Sequence, residues 1–307
     1  MRRDFTYPSQ DDRTTIHAIE WVPEGEVKAV LQIVHGMVEF IGRYDRFATF
    51  LAKNGFYVVG NDHLGHGASV VSDDRHGYFA DPDGNECVIG DMRTLMEMTK
   101  EKYPAVPYFI LGHSMGSFLT RQFIEIHGAK LSGAIIMGTG YQSEGTLKAA
   151  MSIAKIAARF HGWDYRSKLL DNMALGSYNK KFEPARTPND WLTRDEKIVD
   201  AYCANPWNNF RFTVNGYYHL FRGLEYAEKA ENIAKIPKEL PILVTSGGSD
   251  PVGNCGEGPK KVAEIYRNAG IGDVTLRLYP GDRHEILNEL DHDLVDGEIL
   301  AWLQAHM

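Results

Sequence analysis

The pentapeptide Gly112-His113-Ser114-Met115-Gly116 follows an apolar run, Tyr108-Phe109-Ile110-Leu111, and precedes a helical pattern over Ser117 to His127. Strand, G-x-S-x-G and helix in that order form a nucleophile elbow, which prescribes one strand of a sheet, the helix packed on it and the turn between them. A serine hydroxyl is a weak nucleophile at neutral pH, so it needs an exposed position, a base beside it and donors for the oxyanion it creates. The sharp turn supplies the exposure. Glycines on both flanks let the backbones crowd together, and the helix starting just after Ser114 aims unsatisfied N–H groups at the reacting centre. The Met115 N–H is thereby a candidate oxyanion donor. A chance pentapeptide in a Gly-rich turn is the alternative, and the rest of the chain decides between them.

The flanking sequence repeats the strand–helix rhythm. Phe5 to Tyr7 and Thr14 to Val22 read as two antiparallel strands, and Ala29 to Val34 as a strand buried on both faces. Arg43 to Asn54 carries Phe47, Phe50 and Leu51 at helical spacing, Gly55 stops it, and Tyr57-Val58-Val59 is the next strand. Cys87 to Lys102 is helical, with Val88, Met92, Leu95 and Met96 on one stripe, and Gly133 to Met137 is a strand again. From about Tyr141 to Arg222 no buried strand is recognisable. The rhythm resumes with the strand Pro241 to Thr245, a helix over Lys260 to Ala269, the strand Val274 to Tyr279 and a helix over Leu294 to Gln304. Such alternation predicts an α/β fold with a mostly parallel sheet and helices on both faces. The middle stretch reads as an inserted helical cap, giving a core of residues 1–140 and 223–307 and a cap of residues 141–222.

In an open α/β sheet the chemistry sits at the carboxyl ends of strands. Two such ends after the insertion carry candidates: Ser249-Asp250-Pro251 after one strand and Gly281-Asp282-Arg283-His284-Glu285 after the next. The order Ser114, Asp250, His284 is the serine, acid, histidine order this architecture requires. His284 would take the proton from Ser114, and Asp250 would orient and stabilise the imidazolium. Asp282 is a rival acid, but it lies too near His284 in sequence to approach it from a neighbouring strand. A second oxyanion donor is expected in the loop after Ala29 to Val34, where the Met37 N–H stands.

Composition excludes several other classes. With 307 residues, 43% hydrophobic and 24% charged, the chain is an ordinary globular protein, and a net charge of −8 without a basic run argues against nucleic acid as a partner. Cys87, Cys203 and Cys255 have no metal spacing and read as reduced thiols. The N-terminus lacks the apolar stretch of a signal peptide and no segment approaches a membrane span, so a cytoplasmic location is the expectation.

The chain resembles the monoacylglycerol lipase and lysophospholipase-like branch of the α/β-hydrolase superfamily. The stretches that carry the resemblance are His35-Gly36-Met37-Val38-Glu39, Arg43-Tyr44 with Phe47-Ala48, Asn61 to Ser69, Gly112 to Ser117, Gly248-Ser249-Asp250-Pro251-Val252, and Tyr279-Pro280-Gly281 with Arg283-His284-Glu285. They span nearly everything outside the insertion. The resemblance implies an eight-stranded core, a variable cap over the site, hydrolysis of esters of lipid-like alcohols without a cofactor, and catalytic roles for Ser114, Asp250 and His284 with Met37 and Met115 as oxyanion donors. Phe40 departs from the family, which often has histidine there. Asn61 to Ser69 reads as a tight structural loop.

The expected function is that of a serine ester hydrolase acting through an acyl-enzyme on monoacylglycerols, lysophospholipids or similar single-chain esters. A short-acyl carboxylesterase, an aminopeptidase-type amide hydrolase and a non-catalytic ligand-binding homologue are the alternatives. Within the insertion, Leu147, Met151, Ala154 and Ala158 share a helical stripe opposite Lys148, Ser152, Lys155 and Arg159. That face either packs on the core or forms a lid that lines an acyl tunnel or touches a membrane surface. Trp163, Trp191, Trp207, Phe210, Phe212, Tyr217 and Tyr218 are candidates for an aromatic wall around the substrate.

Overall fold

The computed structural model describes residues 1–307. Its eight strands are β1 (Arg2–Pro8), β2 (Thr15–Trp21), β3 (Ala29–Val34), β4 (Phe56–Asn61), β5 (Tyr108–His113), β6 (Gly133–Met137), β7 (Ile242–Gly247) and β8 (Val274–Tyr279). They form one sheet in the order β1-β2-β4-β3-β5-β6-β7-β8. β1 pairs antiparallel with β2 and β2 with β4, whereas every later pairing is parallel. The sheet is therefore mostly parallel, and its central strands β3, β4, β5, β6 and β7 are buried at every residue. Burial on both faces explains their nearly unbroken apolar sequences.

Side chains on successive strand residues point to opposite faces, so each strand feeds two cores. On one face Leu31, Ile33, Phe109, Leu111 and Ile135 pack with Phe47 and Leu51 of α1 (Asp45–Lys53). On the other, Val30, Val34, Ile110 and Ile136 meet Val88 and Leu95 of α2 (Gly84–Lys102) and Phe123 of α3 (Met115–His127). Amphipathic helices on each face leave no apolar stripe of the sheet uncovered.

Between β6 and β7 the chain contains no strand. It runs through α4 (Glu144–His161), α5 (Lys168–Leu175), α6 (Glu196–Ala204), α7 (Val214–Glu228) and α8 (Ala230–Ile233) before returning to the sheet. The first four start where a short polar side chain accepts a bond from the first turn: Ser143 from the Thr146 N–H, Ser167 from Leu170, Asp195 from Lys197 and Thr213 from Gly216. Each cap satisfies an N–H that the helix itself leaves unpaired. The expected boundary at 222/223 falls inside α7, which packs both on α4 and on α2 and α3 of the core. After β7, α9 (Glu257–Asn268) contributes Val262 and Tyr266 to the same core as α3, and α10 (His292–Ala305) contributes Ile299 and Leu303 to that of α1. No helix is long and apolar enough to cross a membrane.

Candidate active site

Ser114 is the single residue between β5 and α3, with φ 55° and ψ −122°. Positive φ is uncommon for a residue with a Cβ and marks a backbone held by its surroundings. Here the Ser114 N–H donates to the Met137 carbonyl at 3.0 Å, and its own carbonyl accepts the Ser117 N–H at 2.8 Å and the Ser117 hydroxyl at 2.6 Å. The flanking glycines are steric necessities. A Cβ on Gly112 would stand 2.2 Å from the Gly116 carbonyl oxygen and from Thr120 Oγ1, and one on Gly116 would stand 2.0 Å from the Val34 carbonyl oxygen. The helix therefore leaves the turn in close contact with β3.

Asp250 follows β7 and His284 follows β8, the neighbouring strand, so the two loops meet. His284 Nδ1 lies 3.0 Å from both carboxylate oxygens of Asp250. Asp250 is fully buried and also accepts the Ser246 hydroxyl at 3.0 Å and the Val252 N–H at 2.9 Å. Burial works to raise the Asp250 pKa, but the His284 charge and these donors outweigh it and hold the carboxyl below its ordinary range. With Nδ1 engaged, the other ring nitrogen of His284 has no protein partner, and His284 and Ser114 line one cavity. Asp282 goes elsewhere: it pairs with Arg194, as do Glu289 at 2.9 Å and Asp291 at 2.6 Å. These three carboxylates converge closely enough to hold a cation, and the Arg194 guanidinium is that cation.

The loop after β3 passes directly over Ser114. A Cβ on Gly36 would fall 3.0 Å from Ser114 Cβ, so only glycine lets the chain through. The Met37 N–H that follows has no hydrogen-bond partner, and Val38 sits at φ 56°. Beneath the loop lies an ionic cluster to which sequence reasoning assigned no role. The Glu39 carboxylate accepts the Gly36 N–H, the Tyr44 hydroxyl at 2.9 Å and Arg43 at 2.7 Å. Arg43 forms a two-pronged pair with Glu285, at 2.7 and 2.8 Å. His113 closes the cluster, with Nδ1 3.1 Å from the Tyr44 hydroxyl and Nε2 3.2 Å from the His284 carbonyl. Burial pushes the Glu39 and Glu285 carboxyls up, yet His113 and Arg43 together bring both below their ordinary range. Burial likewise disfavours a charged His113, but the Glu39 carboxylate raises its pKa overall. The only hint in the sequence was the i,i+4 pair of Glu39 and Arg43; Glu285 lies 242 residues from Arg43.

The expected structural loop at Asn61 to Ser69 is tight, as read from the sequence. Asp62 accepts the Ala68 N–H at 2.9 Å and the Ile41 N–H at 2.8 Å, and His66 bridges Ser69. His63 and His66 are buried beside His35, and burial pushes both pKa values well down, so they are neutral packing groups. All three cysteines are free.

The cavity above Ser114 measures about 1170 Å³, and its wall combines core loops with the inserted helices. Leu147 and Ala150 of α4, Met173 and Leu175 of α5, and Leu220 and Leu224 of α7 supply apolar surface. Of the seven aromatic residues expected to form a wall, Trp191 and Phe210 do so. Phe212 and Tyr217 are instead fully buried in the core, Trp163 packs on Tyr218, and Trp207 packs on Phe40. Aromatic density in the sequence reported packing as much as lining. The polar stripe of α4 is exposed as expected at Lys148, Ser152, Lys155 and Arg159, but Ile156 and Phe160 are also exposed, at 59% and 76%.

An eight-stranded sheet with a serine elbow between β5 and α3, and an acid and a histidine after the last two strands, defines an α/β-hydrolase. Comparison with known proteins specifies the family. The family model described as serine aminopeptidase, S33, matches residues 25–291, and the chain belongs to that family. It is 36% identical over 299 residues to a monoglyceride lipase homolog of Monkeypox virus, covering 95% of each chain. It is 25% identical over 291 residues to the monoacylglycerol lipase of Mycolicibacterium smegmatis, covering 94% of this chain and 92% of that one. Among solved structures, a carboxyl esterase from Bacillus coagulans in complex with glycerol superposes with a TM-score of 0.92 at 29% identity, covering 99% of this chain and 98% of that one. The chain is thus a lipase/esterase-type hydrolase of the monoacylglycerol lipase-like branch.

Proposed function

We propose that this hydrolase works through a Ser114 acyl-enzyme on monoacylglycerols, lysophospholipids or similar single-chain lipid esters, under a cap formed by residues 141–222. The observation that carries the reading is the meeting, in one cavity, of a serine held at positive φ and a histidine bonded through Nδ1 to a buried carboxylate. In this reading Ser114 Oγ attacks the ester carbonyl as its proton passes to the free ring nitrogen of His284. Asp250 stabilises the imidazolium, and the N–H groups of Met37 and Met115 receive the oxyanion. His284 then returns the proton to the departing alcohol. Water then attacks the acyl carbon as its proton passes to the same nitrogen, and the fatty acid leaves as His284 returns that proton to Ser114 Oγ.

The apolar α4, α5 and α7 residues along the cavity support a long acyl chain. Each buried methylene contributes about 0.8 kcal/mol, about fourfold in an equilibrium constant. A series of monoacylglycerols from butyryl to oleoyl, assayed on the purified enzyme, is therefore expected to show kcat/KM rising with chain length and levelling where the cavity ends. A series that is flat or falls would instead support a short-acyl esterase. Faster turnover of an amino-acid anilide than of any acylglycerol would support an amide hydrolase.

A further inference from the structure

The inserted segment does more than roof the cavity, because two of its side chains grip the loop that carries Met37. The Tyr202 hydroxyl of α6 donates to the Val38 carbonyl at 2.9 Å, and the Asn208 side-chain amide donates to the same oxygen at 3.2 Å. Tyr202, Asn208 and Val38 are all buried. One carbonyl oxygen accepts two bonds at most along its lone pairs, so Val38 is fully engaged by residues from outside its own domain. A third contact lies beside it: Trp207 packs edge-on against Phe40, with ring centroids 5.1 Å apart. Trp207 belongs to the same short stretch of the chain as Tyr202 and Asn208.

The grip falls on backbone that would not hold itself. Val38 is a β-branched residue at φ 56°, a conformation such side chains avoid. On the other side of Met37, Gly36 is tied through its N–H to the Glu39 carboxylate. Met37 therefore lies between two anchored peptides, one fixed from the core and one from the insertion, and its own N–H remains without a partner. We infer that Tyr202 and Asn208 are positioning residues for the oxyanion hole, holding the Val38 carbonyl so that the Met37 N–H points at the developing oxyanion. The inference rests on the acyl-enzyme reading above. It also makes the stretch around 202–208 part of the reaction scaffold.

The test uses the full-length enzyme with Tyr202→Phe, Asn208→Ala and the double substitution, on a short ester such as p-nitrophenyl butyrate. Tyr202→Phe removes one hydroxyl and keeps the ring that stacks under the Arg43 guanidinium, so it preserves the packing. Losing an oxyanion donor outright costs about 10²- to 10³-fold, so a misaimed one should cost about tenfold in kcat for each single variant and about 10²-fold for the pair. KM should change little. Affinity for a trifluoromethyl ketone, which forms a tetrahedral adduct, should fall in step with kcat, while affinity for the matching methyl ketone stays constant. Wild-type kcat and ketone affinity in a folded double variant would overturn the inference, as would a change confined to KM. Should the double variant fail to fold, the Tyr202→Phe result decides alone. Failure of the underlying reading has a different signature: wild-type enzyme that neither turns over the ester nor binds the trifluoromethyl ketone more tightly than the methyl ketone.

Discussion

Asp250 and Asp282 are both fully buried, in loops after neighbouring strands, yet their surroundings drive their carboxyl groups in opposite directions. Asp250 is kept ionised by His284 and its donors, whereas burial, aided by Glu289 and Asp291, pushes Asp282 up to about 7 against the pull of Arg194. Asp250→Asn should therefore lower kcat about 10⁴-fold by favouring the wrong imidazole tautomer. Asp282→Asn should leave kcat close to that of the unaltered enzyme and lower the unfolding temperature, because it weakens the Arg194 clip. Steady-state kinetics of the two variants, with a thermal melt of Asp282→Asn, checks these outcomes. The placement of Ser114, Asp250 and His284 at strand ends, with the last two in contact, was legible because strand ends and chain order are written linearly in the sequence. Glu39, Arg43, Glu285 and Tyr202 were quoted or passed over without a role, because their partners are set by folding and not by spacing.

At the scale of elements, the elbow depends on α3 lying against β3 with no side chain between them. Gly116→Ala drives a methyl group into the Val34 and His35 carbonyl oxygens, which would stand 2.0 and 2.6 Å away. Such overpacking against backbone costs about 1–3 kcal/mol or more, so urea denaturation should show a lower midpoint, with activity falling as the Ser114 turn shifts. The strands at Ala29 and Gly133 begin and end where the apolar runs do, since burial on a sheet is a local pattern. The strand at Val274 instead follows an alternation of Val274, Leu276 and Leu278 with exposed Thr275 and Arg277. Helix starts were less readable. α2 begins at Gly84, three residues before the apolar stripe implies, because Asn85 is held by Gln122 of α3 and by His219 of α7. α3 begins at Met115, directly after Ser114 as the elbow motif requires and two residues before the helical pattern at Ser117. The absence of strands between β6 and β7 was recognisable as a break in rhythm, but α7, which packs on α4 and on α2 and α3, gave no signal at residue 222 that would mark a division.

For the whole molecule, one feature that lowers stability toward alkaline pH is Glu125, whose carboxylate oxygens are buried without hydrogen-bond partners. Burial pushes its pKa up to about 8, with Arg121 opposing and Glu228 adding to the rise. The folded chain thus binds a proton that an unfolded glutamic acid, with a pKa of about 4.3, has already released, so stability declines as pH rises through that interval. Glu125→Gln should flatten this decline, and thermal melts from pH 5 to pH 9 should show the gain at the alkaline end. Ser114 and His284 share a cavity of about 1170 Å³ whose wall is built partly by the helices between β6 and β7. The central claim is that Ser114 carries the acyl group between the two half-reactions. Rapid acid quenching during turnover of a long-chain monoacylglycerol, followed by peptide mass analysis, tests it directly. An acyl adduct is expected on the peptide containing Ser114 and none in Ser114→Ala, whose turnover should fall by about 10⁶-fold. Undiminished turnover by a folded Ser114→Ala enzyme, or an adduct on another residue, would contradict it.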